Sequence, residues 1–207
     1  MTQQSTTGRA NQKLRTHNAI LQAAVELMRT GREVSMLEVA KTALVSEATA
    51  YRYFPDLATL LQAAMAEAEQ RSGPAEALAS VADSADPVVR IAAATEHLLR
   101  RVLAYQGAVR ATIAATITRP TTVAITRPGL RFGLIDLALA PLADQPGAVD
   151  PAVLAQLKND LAVVVSAEAF FCLTDLCGLD PEAAIASAIH TATTLTRAAL
   201  REDASAD

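Results

Sequence analysis

The sequence predicts an all-α fold, a three-helix helix-turn-helix near the N-terminus followed by a larger helical domain. Three observations predict it. About half of the 207 residues are apolar, supplied mainly by Ala, Leu, Val and Ile, enough for a sizeable core. Aromatic residues are 3% of the chain and Trp is absent, which suits closely packed helices better than sheets. Apolar residues also recur at helical spacing between residues that cap or break helices.

Residues 1–12 are polar and carry Gly and Ser, so they are expected to form a disordered arm. The first stripe is Leu14, Ile20, Leu21, Ala24, Val25 and Met28, and Gly31 is expected to end that helix. Ser35 and Glu38 then form a Ser-x-x-Glu capping box, in which each side chain takes a backbone N–H of the other residue. This opens a short helix over Met36 to Ala43, burying Met36 or Leu37 with Val39 and Ala40. Ser46 is a second N-cap only a few residues later. Beyond Pro55 an amphipathic helix from Asp56 to Arg71 carries Leu57, Leu60, Leu61, Ala64, Met65 and Ala68, and Ser72, Gly73 and Pro74 are expected to break it.

Pro87 suits the first turn of a helix over Val88 to Tyr105, with Ile91, Leu98, Val102 and Tyr105 inward and Glu96 and Arg100 spaced as an ion pair. His97 shares a face with Arg90 and Arg101 and is expected to be exposed. Residues 108–117 continue helically. The repeated Ile-Thr-Arg-Pro at 117–120 and 125–128 punctuates the chain, a helix follows over 129–143, and residues 144–150 form a loop. A penultimate helix from Pro151 to Cys177 is apolar nearly all round after Leu161, with Gly178 as its left-handed terminus. Asp180 and Pro181 open the last helix, whose face is Ile185, Ala188, Ile189, Ala192, Leu195 and Ala199. The expected organisation is an arm (1–12), a helix-turn-helix domain (13–55) and a helical domain (56–207).

Several function classes are disfavoured. No stretch of about 18 strongly apolar residues is present and the first residues lack a signal-peptide core, so a cytoplasmic protein without a membrane partner is expected. Cys172 and Cys177, five apart on a helix, are expected to point to different faces as reduced core thiols. His17, His97 and His190 are scattered, and neither a phosphate loop nor a nucleophile elbow appears, so no metal, cofactor or enzymatic activity is expected. The net charge is −4 but uneven: residues 1–56 carry seven basic and five acidic residues, leaving −6 for the remainder. A basic head on an acidic body permits DNA binding.

The span Val39-Ala40-Lys41-Thr42-Ala43-Leu44-Val45-Ser46-Glu47-Ala48-Thr49-Ala50-Tyr51-Arg52-Tyr53-Phe54 joins two short helices through a tight turn. Such a pair needs a small residue where the helices cross, an apolar plug and exposed polar groups on the second helix. Ala40, Val45 and the residues after Ser46 supply them. Three of the seven aromatics fall within Tyr51 to Phe54, with Phe54 placed for the core and the tyrosine hydroxyls for phosphates.

Over roughly residues 13–65 the chain resembles the TetR family of regulators, through the alanine-containing helix, the turn, the Thr49-x-Tyr51-x-x-Phe54 pattern and the connecting helix that follows. The resemblance implies a dimeric DNA-binding protein with a variable helical ligand-binding region, closed by two helices that form a four-helix bundle between subunits. It implies that Ser35 and Ser46 cap helices beside phosphates, that Tyr51 and Tyr53 hold the DNA backbone, and that Glu47, Ala48, Thr49 and Arg52 face base edges. Lys13 joins this DNA-contacting set. The chain departs from the pattern at Leu44, where the turn usually has glycine and a left-handed leucine is disfavoured, so a reshaped turn is expected. It departs also at Glu47 and Leu57, where lysines are frequent.

In the same plan the middle of the chain lines the ligand pocket. Between Gln106 and Ile135 the sequence carries Arg110, Arg119, Arg127 and Arg131 and no acid. With Ile113, Ile117, Phe132, Leu134 and Phe171 as apolar surroundings, this suits a hydrophobic ligand bearing an anionic group. The competing expectation is that these arginines are exposed or that one pairs with Glu168. Three readings follow: a ligand-released repressor acting as a homodimer on a palindromic double-stranded operator, a ligand-independent DNA-binding dimer, and a helical ligand-binding dimer with weakened DNA binding.

Overall fold

The computed structural model describes residues 4–30, 34–118, 130–143 and 149–203. The Gly31 stop, Pro120, Pro128, Arg119 and Arg127 lie outside these residues. The described chain contains α1 (Gln4–Met28), α2 (Met36–Thr42), α3 (Glu47–Tyr53), α4 (Leu57–Glu76), α5 (Pro87–Ala104), α6 (Gln106–Thr118), α7 (Leu130–Ala143), α8 (Pro151–Val164), α9 (Ala167–Phe171) and α10 (Pro181–Asp203). None of the described helices is long and apolar enough to cross a membrane.

Two compact units divide the chain: Met1–Arg71 with Ala104–Arg127, and Ser72–Leu103 with Pro128–Asp207. In the first unit Ile20, Ala24 and Met28 of α1 meet Val39 and Ala40 of α2, Ala50 of α3, Phe54, Leu60 and Leu61 of α4, and Ala108 of α6 in one buried cluster. Leu57, Tyr105 and Ala111 pack against its margin. The chain beyond Pro55 therefore contributes core to the helix-turn-helix itself. Two boundaries differ from expectation. Residues 4–12, expected as a disordered arm, belong to α1. α4 runs through Ser72-Gly73-Pro74 to Glu76, since proline in a last turn deprives only one carbonyl of its donor.

In the second unit α8 packs along α10 and against α7. Short side chains at Ala184, Ala188 and Ala192 of α10 are buried, so little bulk holds neighbouring helices away. Asp180 and Gly178 act where the sequence places them: Asp180 Oδ1 accepts from Ala183 N–H at 2.9 Å, and Gly178 adopts φ +70°. Asp150, expected only as the end of a loop, also caps a helix, its Oδ1 accepting from Ala152 N–H at 2.7 Å. The Arg100–Glu96 pair forms at 3.0 Å, and Glu182 adds a second carboxylate at 3.0 Å. Both acids hold the Arg100 guanidinium above its ordinary pKa, the Glu182 hydrogen bond most strongly.

The single helix expected over 151–177 is instead three segments. Val165 turns out of helical conformation (φ −80°, ψ 67°), and buried Ser166 caps α9 by accepting from Ala169 N–H at 3.0 Å while donating to Val163 O at 2.7 Å. A π-helical turn, Cys172–Leu176, follows, with Cys177 N–H donating to Cys172 O at 3.1 Å. Cys172 and Cys177 are both exposed thiols, not core residues, because this widened turn faces outward. His97 also differs from its expected exposure, being half-buried, and Arg90 is buried. Burial, then the charge of Arg101, lowers the His97 pKa, with Glu76 opposing.

Candidate nucleic-acid interface

The geometry of this region begins with two serine caps. Ser35, in extended conformation, accepts from Glu38 N–H at 3.2 Å, and its hydroxyl donates to Glu38 Oε2 at 3.2 Å. The serine half of the expected capping box forms, whereas the Glu38 carboxylate meets the serine hydroxyl in place of the Ser35 backbone N–H. Ser46 accepts from Thr49 N–H at 3.2 Å, and its Oγ lies 2.9 Å from Thr49 Oγ1. The Thr49 hydroxyl is therefore engaged at the cap while the residue stays half-exposed.

Between the caps, α2 ends in a Schellman turn. Val45 N–H donates to Ala40 O at 2.9 Å and Leu44 N–H to Lys41 O at 3.1 Å, the paired closure that requires a left-handed residue between them. Leu44 fills that position at φ +56°. The turn is retained rather than reshaped: both hydrogen bonds and the packing of Val45 against the core outweigh a left-handed penalty of about 1–2 kcal/mol. Ala40 is buried at the crossing, as the close approach of two helices demands.

Helix α3 is thereby fixed by its buried side, Ala50, with Phe54 after it, and turns the rest outward. Ser46, Glu47, Ala48, Tyr51 and Arg52 are exposed, whereas Tyr53 is half-buried. Arg52 sits 5.6 Å from the Tyr53 ring centroid, within cation–π range. The His17 ring lies 5.0 Å from Phe54 and 6.3 Å from Tyr53, tying α1 to the end of α3. An open cleft of about 410 Å³ is lined by Gln12, Lys13, Thr16, Arg52 and Tyr53. Two cations and three hydrogen-bonding side chains suit an anion. Gln12 and Thr16 were not singled out from the sequence; their signal is spacing, one face of a helix shared with Lys13, hidden where residues 1–12 read as an arm.

The residues expected around a ligand fall in both units. Arg110 and Ile117 are exposed and Ile113 is half-buried on α6, in the first unit. In the second, Arg131 on α7 donates to Glu168 Oε2 at 2.9 Å and to Ala162 O at 3.2 Å, so the expected pairing with Glu168 forms. These two contacts span the α8–α9 break. Phe132 is exposed, and half-buried Phe171 meets Phe170 edge-on at 5.7 Å.

Residues 20–65 match the family model for bacterial regulatory proteins, tetR family. Among solved structures the chain is similar to a TetR transcriptional regulator from Rhodococcus sp. RHA1, at 25% identity and a TM-score of 0.54, over 89% of this chain and 97% of that one. No curated protein matches the chain. The capped helix pair inside the matched span and the helical body similar to that of the Rhodococcus regulator both support a TetR-type transcriptional regulator.

Proposed function

We propose that the protein is a repressor that binds a palindromic double-stranded operator as a homodimer and is released by a small hydrophobic ligand bearing an anionic group. The observation that carries the DNA reading is the serine-capped α3, which exposes Glu47, Ala48, Tyr51 and Arg52 beside the Lys13–Arg52 cleft. In this reading Glu47, Ala48, Thr49 and Arg52 read base edges, and Lys13, Ser35, Ser46, Tyr51 and Tyr53 hold phosphates. Exposed apolar side chains at Val163 and Leu176 support pairing of two chains through the region of α8 and α10.

The ligand reading rests on Arg131. Its side chain is four-fifths buried, and its guanidinium is bidentate-capable and already holds a carboxylate. A ligand carboxylate that replaces Glu168 frees the two sides of the α8–α9 break from one another, a local event from which domain movement can follow. Phe132 and Phe171, in the same unit, complete the proposed ligand set.

A mobility shift on the DNA upstream of the protein's own coding sequence tests both halves. The expected result is a retarded complex that matched hydrophobic acids dissolve and their neutral amides leave intact. Equal effects of acid and amide sink the anionic ligand, and absence of a complex sinks the repressor.

A further inference from the structure

Leu44 is unfavourable to the fold on two independent grounds. Its backbone occupies the left-handed region at φ +56°, which glycine adopts freely and asparagine tolerates. Its side chain is 93% exposed, so burial offsets none of that strain. An exposed leucine alone is ordinary on a protein surface. Exposure combined with backbone strain is not, and strained residues concentrate where a site uses them.

The position of Leu44 indicates what uses it. It lies two residues before the Ser46 cap of α3, in continuous sequence with exposed Ser46, Glu47 and Ala48. In a helix-turn-helix the N-terminal end of the second helix approaches base edges in the major groove. An isobutyl group carries no charge and no hydrogen-bonding atom, so it has nothing to offer a phosphate. The apolar feature that the major groove presents is the C5-methyl of thymine. We propose that Leu44 is a specificity residue whose side chain packs on a thymine methyl in each half-site. This rests on the DNA reading given above and extends it to a residue outside the recognition helix, at the place where the chain departs from the usual glycine.

The test uses the full-length protein and the DNA site it selects, with each thymine replaced in turn by deoxyuridine, which removes only the methyl. Wild type should lose roughly two- to fivefold in affinity at one symmetry-related pair of thymines, the scale of one buried methyl group. Leu44→Gly and Leu44→Asn should lose that sensitivity while melting at or above the wild-type temperature, since both suit φ > 0. Indifference of wild type to every deoxyuridine overturns the proposal. So does equal sensitivity in all three proteins, or a loss in the variants that is uniform over all sequences, which marks a sugar–phosphate contact. Failure of wild type to select any sequence overturns the DNA reading and this proposal with it.

Discussion

Arg90 supplies the hydrogen bond that Pro141 cannot. Pro141 lies inside α7 and has no N–H for the carbonyl of Leu137, four residues earlier. Arg90 Nη2 donates to that carbonyl at 2.8 Å, its Nε donates to Ala138 O at 3.0 Å, and its Nη1 to Ser84 O at 3.2 Å. The buried guanidinium thereby completes α7 from α5 and fixes the segment before Pro87.

The first prediction follows from that geometry. Arg90→Ala leaves the Leu137 carbonyl without a donor and removes two further hydrogen bonds, and should lower unfolding free energy by about 2–3 kcal/mol. In a Pro141→Ala background the restored N–H serves Leu137 O, so the same change should cost at least about 0.5 kcal/mol less. Urea denaturation of the four proteins gives the coupling, and strict additivity contradicts the relationship.

Ser166 carries the second. Its buried hydroxyl joins Val163 O to Ala169 N–H across the break between α8 and α9. Ser166→Ala should destabilise by about 1–2 kcal/mol, while Ser166→Thr, which keeps the hydroxyl, should retain more of that stability where the added methyl fits. A melting temperature unchanged in Ser166→Ala contradicts the capping role.

The third concerns pH. The His97 pKa in the folded state lies below its ordinary value of about 6.5, first through burial and then through Arg101, with Glu76 opposing. The folded state binds this proton less readily than the unfolded chain. The contribution of His97 is therefore fully present above about pH 6.5 and is lost as pH falls toward the folded pKa. His97→Gln should flatten the fall of stability between about pH 7 and 5, measured by denaturant midpoints, and an unaltered slope contradicts it.

What the sequence made legible was local. Ser35, Ser46, Asp180 and Gly178 act through hydrogen bonds closed within a few residues, so position alone identifies them. Arg90 was not legible, because its partner Leu137 is 47 positions away and the face it shares with Arg101 suggested solvent. Ser166 left a weak trace, a capping residue followed by Glu168 inside an apolar run, which the run's continuity obscured. Leu44 was misjudged for a different reason. Local preference opposed a left-handed leucine, but the Schellman bonds from Val45 and Leu44 depend on how α2 and α3 cross, which propensity does not weigh. Of the candidate site, the exposed face of α3 followed from the sequence, whereas the cleft needed α1 to begin before residue 12. The arginine-rich middle gave a composition, and only the structure paired Arg131 with Glu168.

Selection of binding sites from random DNA by wild type, Glu47→Ala and Tyr51→Phe tests the central claim, that α3 reads DNA through its exposed face. The account predicts that wild type enriches a two-fold symmetric site with half-sites about 34 Å apart. Glu47→Ala should relax preference at one symmetric pair of positions, by about 1–3 kcal/mol per contact, and Tyr51→Phe should weaken all sequences alike because phosphates carry no base identity. No enrichment by wild type, or a Glu47→Ala profile identical to it, contradicts base reading by this helix.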